Sequence, residues 1–288
     1  MKKINKNLIK RKIYKILPKK IRFRLLRHLM PEVKLNLNNF VFRPAVSPND
    51  YLSAFNLVYR VFVGTGFIKR SSIPFRMAAQ HAHEDSRVFI GCQKEGDREK
   101  IVYSLSIFPD SDEGLPMDSV FQKEVDSLRS EGRFVVEAGQ LASDPCCRTK
   151  TMDIPLLGNK ILHQYAAQHL NADDIVIAVH PKYQWIYEDL LLFEKIGETS
   201  QYAYANNNPA LAMRLDLRTA AKKYQKRYKN INLKNNLYHF FFTKDSDSIL
   251  LPDRQYWIQP EVLDNFDHLS KFKSQTMEDN NSPQVRSA

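Results

Sequence analysis

Residues Ile175–Val179 form an unbroken apolar run, which limits the folds open to this chain more than any other segment. A strand with one face in solvent alternates apolar and polar residues, so a continuous apolar run indicates a strand buried on both faces. Such a strand needs helices above and below it. The run therefore places the chain among α/β folds.

Strand-like and helix-like segments alternate along residues 40–217 in the order β-α-β-β-α-β-α-β-α-β-β. This order predicts a mixed, largely antiparallel central sheet with helices on both faces. Ser47 and Pro48 are typical of the first positions of a helix, and Asp50 suits its positive end. The predicted strands are Phe40–Val46, Arg87–Cys92, Ile101–Phe108, Phe134–Ala142, Ile175–Val179, Ile196–Tyr204 and Ala210–Leu217, and later helices are predicted at Asp118–Arg129, Asp153–Gln168 and Pro181–Phe193.

Positive charge is concentrated at the N-terminus. The formal net charge is +11, yet residues 1–34 hold thirteen lysines and arginines and a single acid, Glu32, so the remaining residues are nearly neutral. Apolar residues recur between these bases at helical spacing on both sides of Pro18, which predicts a basic amphipathic helical leader with a break. An anionic membrane surface and an acidic protein partner fit this leader equally well, and a solvated tail is the third interpretation.

We expect four regions along the chain. They are the leader at 1–34, a folded domain at 40–217, a helical extension at 218–270 and a disordered tail at 271–288. The nearly neutral body argues against nucleic acid as a partner. The sequence lacks a secretory apolar core and any apolar run of about 18–20 residues, which favours a cytoplasmic protein, peripheral at the inner membrane leaflet if the leader binds lipid.

Several chemistries lack their motifs. The sequence contains no P-loop pattern, no G-x-G-x-x-G, no G-x-S-x-G and no H-E-x-x-H. Its three cysteines show no C-x-x-C spacing, and His81 and His83 stand too close together, without further ligands, to bind a metal ion. We therefore expect no metal site and interpret both histidines as part of a solvated loop.

Glu137 is the strongest chemical signal. It stands in the middle of the apolar strand Phe134–Ala142, where an ionised carboxylate is costly unless it is paired or hydrated. Gly139, two residues later, is typical of a bulge or of the close approach of a ligand. Two interpretations are open: an ion pair with Arg60 or Arg133, or a catalytic carboxyl group whose pKa is raised by burial.

A second signal follows the buried strand. His180 and Pro181 begin a predicted helix that carries Tyr187, whose side chain can point toward the end of the sheet. Its hydroxyl can then act as a proton donor. The alternative is a core aromatic ring with a hydrated hydroxyl.

Four segments resemble one known family. They are Leu57–Phe62 with Gly66–Ile68; Gly114–Asp118; Leu128–Arg133 leading into Glu137; and His180-Pro181 with Tyr187–Gly197, in which Leu192 takes the place of a glycine in the usual pattern. Together these segments resemble bacterial long-chain N-acyl amino acid synthases of the FeeM type, which are relatives of acyl-homoserine-lactone synthases with a GNAT-like acyltransferase fold.

The resemblance implies an acyltransferase that moves a long-chain fatty acyl group from acyl carrier protein to the amino group of an amino acid. The donor is then the acyl-phosphopantetheine of the carrier, and no cofactor is bound. Glu137 is implied as the base that deprotonates the amine, and Tyr187 as the acid that protonates the leaving thiolate.

Further residues are assigned to the substrates. A forked guanidinium suits the carboxylate of an amino acid, which makes Arg76 and Arg60 candidates. The resemblance adds Gln140, which stands where relatives tend to have arginine, and His180. Arg148 and Lys150 are assigned to the carrier arm, since their loop lacks a glycine-rich run to cradle the pyrophosphate of coenzyme A. Two alternatives remain open: acylation of another amine, and a non-catalytic GNAT-like module that binds membrane or a partner.

Overall fold

A mixed, largely antiparallel sheet forms the centre of the folded domain, as predicted, and it has eight strands where seven were predicted. The structure is a computed structural model and describes residues 17–18, 21–23, 40–96, 98–147, 153–202 and 205–242. The elements are β1 (Phe40–Pro44), α1 (Pro48–Gly64), β2 (Arg87–Glu95), β3 (Arg98–Pro109), α2 (Asp118–Ser130), β4 (Val135–Ser143), α3 (Asp153–Gln164), β5 (Asp174–Val179), α4 (Gln184–Asp189), β6 (Glu194–Lys195), β7 (Ser200–Tyr202), β8 (Asn208–Asp216), α5 (Leu217–Tyr228) and α6 (Leu237–Phe242).

The strand order is β1-β2-β3-β4-β5-β8-β6, and β7 pairs with β8. Every pairing is antiparallel except that of β4 with β5, which are parallel. That parallel pairing covers three residue pairs and stops at Glu137 and Val176, although β5 continues to Val179. The two strands therefore separate in the middle of the sheet, immediately after Glu137.

A β-bulge lies next to this gap. The register between β3 and β4 shifts between Ser104 and Ser106, and Gln140 adopts a left-handed backbone with φ of 49°. A bulge bends its strand and re-aims the side chains around it. Gly139 lies beside this bulge, which is one of the two features that the sequence indicated for it.

Helices cover both faces of the sheet, which confirms the predicted architecture. On one face α1 and α2 pack against β2, β4 and β5, and on the other α3, α5 and α6 pack against β3, β5 and β8. Val176 contributes to the first face, and Ile175 and Ile177 to the second. β5 is thus buried on both faces, as its unbroken apolar run predicted.

The predicted start of α1 is confirmed. Ser47 accepts a hydrogen bond from the Asp50 amide, and Asp50 accepts one from the Ser47 amide in return. The helix predicted over Pro181–Phe193 is shorter: a 3-10 turn at Pro181–Tyr183 precedes α4, and Leu192 ends the segment with a left-handed φ of 57°. A non-glycine residue in this conformation cannot continue a right-handed helix.

The chain termini are only partly described. Residues 1–16, 19–20, 24–39 and 243–288 lie outside the described residues, and so do most of the predicted leader, residues 243–270 of the predicted extension and the whole predicted tail. Arg22 and Phe23 pack against the folded domain: Arg22 forms an ion pair of 3.1 Å with the buried Asp189, and the ring of Phe23 contacts Tyr228. Within the described parts of the chain, no helix is long and apolar enough to span a membrane.

Candidate active site

A cleft of about 520 Å³ opens where β4 and β5 separate. Its floor is the backbone of β4 from Glu137 to Gln140, and its walls come from the segment after α1, the loop before α2 and the segment before β8. Aromatic and aliphatic side chains dominate these walls. They include Phe62, Phe67, Met77, Phe108, Leu115 and Tyr202.

Glu137 lies at the bottom of this cleft and is 3% exposed. Its Oε2 accepts a hydrogen bond of 2.7 Å from the backbone amide of Met117. Burial raises the pKa of Glu137 to about 8; the Met117 amide opposes this shift, and the negative charge of Asp118 adds to it. The carboxyl group can therefore exchange a proton near neutral pH.

The loop before α2 holds the Met117 amide in place. Asp118 accepts a hydrogen bond of 2.7 Å from the Leu115 amide, and Arg129 binds both Asp118 and Asp110. Gly114 has a φ of 68°, and a Cβ atom there would lie 2.7 Å from the Asp118 carboxylate. The Gly114–Asp118 motif and Glu137, which the resemblance linked along the sequence, are thus in direct contact.

The ion-pair interpretation of Glu137 is wrong. Arg133 binds Asp174 and Asp216, at 2.9 Å for the latter. Arg60 is 53% exposed on α1 and lies 3.7 Å from Asp144. Among the described residues, no arginine, lysine or histidine forms an ion pair with Glu137.

Arg76, Gln140 and His180 line the same cleft as Glu137. Arg76 is held by its backbone amide, which donates to the carbonyl of Phe55 in α1. His180 Nδ1 accepts from the Lys182 amide, and burial together with the nearby Lys182 charge lowers the pKa of His180. Three of the residues assigned to the substrates thus line the cleft that contains Glu137, whereas Arg60 does not line it.

Tyr187 lies on the opposite face of the sheet. It is not among the residues lining the cleft, and its ring packs edge-on against Phe193 at 5.4 Å, beside the core beneath α3. Burial raises the pKa of Tyr187 to about 12, so the hydroxyl keeps its proton and is suited to donating a hydrogen bond. Glu137 and Tyr187 thus lie on opposite faces of one sheet.

The interpretation of His81 as part of a solvated loop is wrong. His81 is 1% exposed, and its ring lies between those of Phe55 and Phe108 at 4.7 and 4.8 Å. Nδ1 accepts from the Ala78 amide, which leaves Nε2 to donate to Ser106 Oγ at 3.0 Å. Burial lowers the pKa of His81 to about 3, so the ring is neutral and anchors the wall that carries Arg76.

Tyr202 and Asn208 also line the cleft, although neither was predicted from the sequence. The Tyr202 hydroxyl donates to the Pro116 carbonyl at 3.2 Å, and the Asn208 amide donates to the Gly66 carbonyl at 2.9 Å. These bonds join β7 to the loop before α2 and the start of β8 to the segment after α1. The run of asparagines before Pro209 was the available signal, since asparagine tolerates the left-handed turn found there.

Arg148 and Lys150, assigned to the carrier arm, lie outside the described residues. In the parts of the chain that the structure describes, no group of three or more histidine, cysteine or acidic side chains is placed to hold a metal ion.

The chain is similar to known proteins in both sequence and fold. A sequence model of the family described as "N-acyl amino acid synthase FeeM" matches residues 53–216, more than half of the chain. The solved structure of FeeM, an N-acyl amino acid synthase from uncultured soil microbes, is 26% identical, with a TM-score of 0.55 over 64% of this chain and 93% of that one. No curated protein sequence matches the chain.

Two more distant structures extend the comparison. The CoA-dependent acyl-homoserine lactone synthase BjaI is 12% identical, with a TM-score of 0.50 over 74% of this chain and 94% of that one, which shows a shared fold. The ribosomal-protein-S5-alanine acetyltransferase from Vibrio fischeri is 15% identical, with a TM-score of 0.45 over 64% and 97%.

Proposed function

The chain belongs to the family of the N-acyl amino acid synthase FeeM, and on this premise we propose that it transfers a long-chain fatty acyl group from acyl carrier protein to the amino group of an amino acid. N-acyltransferase activity follows from the family and the GNAT-like fold. The carrier donor, the amino acid acceptor and the roles of individual residues are our proposal. Its main support is Glu137, a buried carboxyl group with a raised pKa at the base of a cleft that also contains Arg76.

Glu137 is proposed as the general base. An amino acid arrives as an ammonium ion and must lose a proton before its nitrogen can attack a thioester carbonyl. Glu137 takes that proton, directly or through water. The amine then forms a C–N bond to the acyl carbon and loses a second proton, the C–S bond breaks, and the thiolate takes up a proton and leaves as a thiol.

The thioester is proposed to lie in the gap between β4 and β5. A pantetheine arm there has Glu137 on one face and the α4 side of the sheet on the other. This placement lets Tyr187 donate a hydrogen bond to the leaving sulfur from the opposite face. Gln140 and His180 flank the gap from the cleft side, and Arg148 with Lys150 is proposed to bind the arm outside it.

Product analysis tests the proposed function. Lipid extracts from bacteria that overproduce the wild-type chain are expected to contain new N-acyl amino acids, and extracts from cells with Glu137→Gln are not. If the only new products are N-acyl derivatives of another amine, that amine is the acceptor and the amino acid proposal is wrong. If the purified chain uses acylated carrier protein and acyl-coenzyme A equally well as donors, the proposed preference for the carrier is wrong.

Arg76 is expected to set the affinity for the amino acid. Arg76→Lys keeps the charge but loses the two-pronged contact with a carboxylate, so the amino acid KM should rise by about 10-fold or more while the KM of the acyl donor stays constant. Steady-state kinetics with each substrate varied in turn measure this effect. Arg98→Lys, on the exposed β2–β3 hairpin, is the matched control.

The same measurement on Arg60→Lys compares the two candidate arginines. A raised amino acid KM for Arg60→Lys, together with an unchanged value for Arg76→Lys, would contradict the assignment of Arg76.

We also propose that the basic leader holds this cytoplasmic enzyme at the anionic inner leaflet, where a long-chain product can enter the lipid directly. Each lysine or arginine near such a surface contributes about 1 kcal/mol. Deletion of residues 1–16 removes seven bases but keeps Arg22 and Phe23, which pack against the folded domain. Co-sedimentation with phosphatidylglycerol vesicles should fall on this deletion and on addition of salt, with turnover of acyl-pantetheine unchanged.

Equal co-sedimentation of the intact and shortened chains at low salt would refute the anchor. Loss of turnover with acyl carrier protein but not with acyl-pantetheine would instead identify the leader as a docking arm for the carrier.

A further inference from the structure

Two tyrosines of α5 hold the backbone turn that follows α4. The Tyr224 hydroxyl donates to the Leu191 carbonyl at 2.6 Å, and the Tyr228 hydroxyl donates to the Leu190 carbonyl at 2.8 Å. Both rings are almost fully buried, and they stack on each other with their centroids 5.8 Å apart. Since α5 begins at Leu217, these two donors lie beyond the residues 53–216 that match the family.

The leader holds the same turn from the other side. Arg22 pairs with Asp189, the last residue of α4, whose side chain is 1% exposed. Phe23 packs edge-on against Tyr228 at 5.1 Å, and the Arg227 guanidinium lies 4.2 Å from the centre of the Phe23 ring. The leader and α5 therefore form one continuous layer over the end of α4.

The turn that they hold is strained. Leu192 has a φ of 57°, a backbone conformation that leucine rarely adopts and that persists only where the surroundings enforce it. The next amide, that of Phe193, donates to the Tyr187 carbonyl at 2.9 Å, and the ring of Phe193 packs against that of Tyr187. The conformation of this turn therefore determines where Tyr187 sits.

We propose that Tyr224 and Tyr228 are positioning residues that keep the strained turn at Leu192 in place and thereby aim Tyr187 at the leaving sulfur. The proposal rests on the proposed role of Tyr187 in acyl transfer. The two hydroxyls touch neither substrate nor reacting atoms and act only through the backbone of residues 190–193.

Single-turnover release of free thiol from palmitoyl-pantetheine, with the common amino acids as acceptors, tests the proposal. Tyr224→Phe combined with Tyr228→Phe keeps both rings and removes both hydroxyls, and it should slow thiol release by about 10-fold. The amino acid KM should not change, because the cleft face is untouched. Tyr238→Phe, at a tyrosine whose hydroxyl makes no hydrogen bond within the described residues, is the control.

Two further variants separate positioning from general loss of structure. Adding Leu192→Gly to the double variant should restore most of the rate, because glycine adopts the left-handed conformation without strain and no longer needs the two hydroxyls. In a Tyr187→Phe background, removal of the two hydroxyls should cost nothing further, since the group that they aim is already absent.

The proposal would be overturned if the double variant, or Tyr187→Phe alone, released thiol at the wild-type rate. It would also be overturned if removing the two hydroxyls slowed thiol release as much in the Tyr187→Phe background as in the wild type. The single variants, each keeping one hydroxyl, carry the same test if the double variant does not fold. Failure of the proposed function is distinguishable, since it is read from the products of the wild-type chain rather than from ratios between variants.

Discussion

Glu137→Gln is expected to lower the rate of acyl transfer by about 10²–10⁴-fold, the usual contribution of a general base. The substitution keeps the shape of the side chain and its hydrogen bond from Met117 and removes only the ability to accept a proton. Single-turnover kinetics at saturating donor measure the loss directly. Glu131→Gln, at an exposed glutamate after α2, should turn over like the wild type.

The pH dependence of turnover should differ between the wild type and the Glu137→Gln variant. A base must be deprotonated to act, and burial raises the pKa of Glu137 to about 8, so wild-type kcat/KM should rise with pH up to about 8 and then level off. The variant should lack this rise. If a folded Glu137→Gln variant shows wild-type turnover and the wild-type pH profile, Glu137 is not the general base.

Stability provides the folding control for this variant. Because folding raises the pKa of Glu137 from about 4.5 to about 8, its contribution to stability is complete below pH 4.5 and is lost as the pH rises through 8. Glutamine has no charge to bury. The variant should therefore match or exceed the wild-type melting temperature at pH 9, and a lower value there would show that the substitution damages the fold.

Arg22→Met is expected to destabilise the chain by about 3–5 kcal/mol, the usual cost of leaving one partner of a buried ion pair without the other. Asp189 is 1% exposed, and the Arg22 side chain is 13% exposed. Lys195→Met breaks the exposed pair with Glu198, which is 2.7 Å long, and should cost at most about 1 kcal/mol. Chemical denaturation measures both values.

A second substitution checks the cause of this loss. Arg22→Met combined with Asp189→Asn also removes the buried carboxylate charge that Arg22 pairs with, and it should recover part of the stability. No recovery would show that Arg22 acts by packing alone. Deletion of residues 1–34 should reproduce the loss, whereas deletion of residues 1–16 should not, because only the longer deletion removes Arg22 and Phe23.

Local patterns were sufficient to predict the architecture. The capping residues at Ser47 and the apolar run of β5 are short-range signals, and both correspond to the predicted elements. Glu137 was recognised because a carboxyl group in an apolar strand conflicts with its surroundings. The family resemblance added the motif at Gly114–Asp118, which proved to be the part that contacts Glu137.

The remaining features depend on contacts between residues far apart in the sequence. His81 looked solvated because its own segment is polar, but Phe55 and Phe108 bury it from other elements. Leu192 adopts a conformation that its side chain disfavours, and the two carbonyls before it accept hydrogen bonds from α5. Burial and strain of this kind are imposed by tertiary structure and leave no local periodicity to detect.

The single parallel join in the sheet has a consequence for the integrity of the cleft. β1 to β4 and β5 to β8 are each antiparallel sets, and in the described sheet they meet through the three residue pairs that join Val135–Glu137 to Asp174–Val176. The cleft takes lining residues from both sets, among them Glu137 from β4, Ala178 from β5 and Ala210 from β8. A local opening of this short join would therefore dismantle the cleft even where each half of the sheet stays folded.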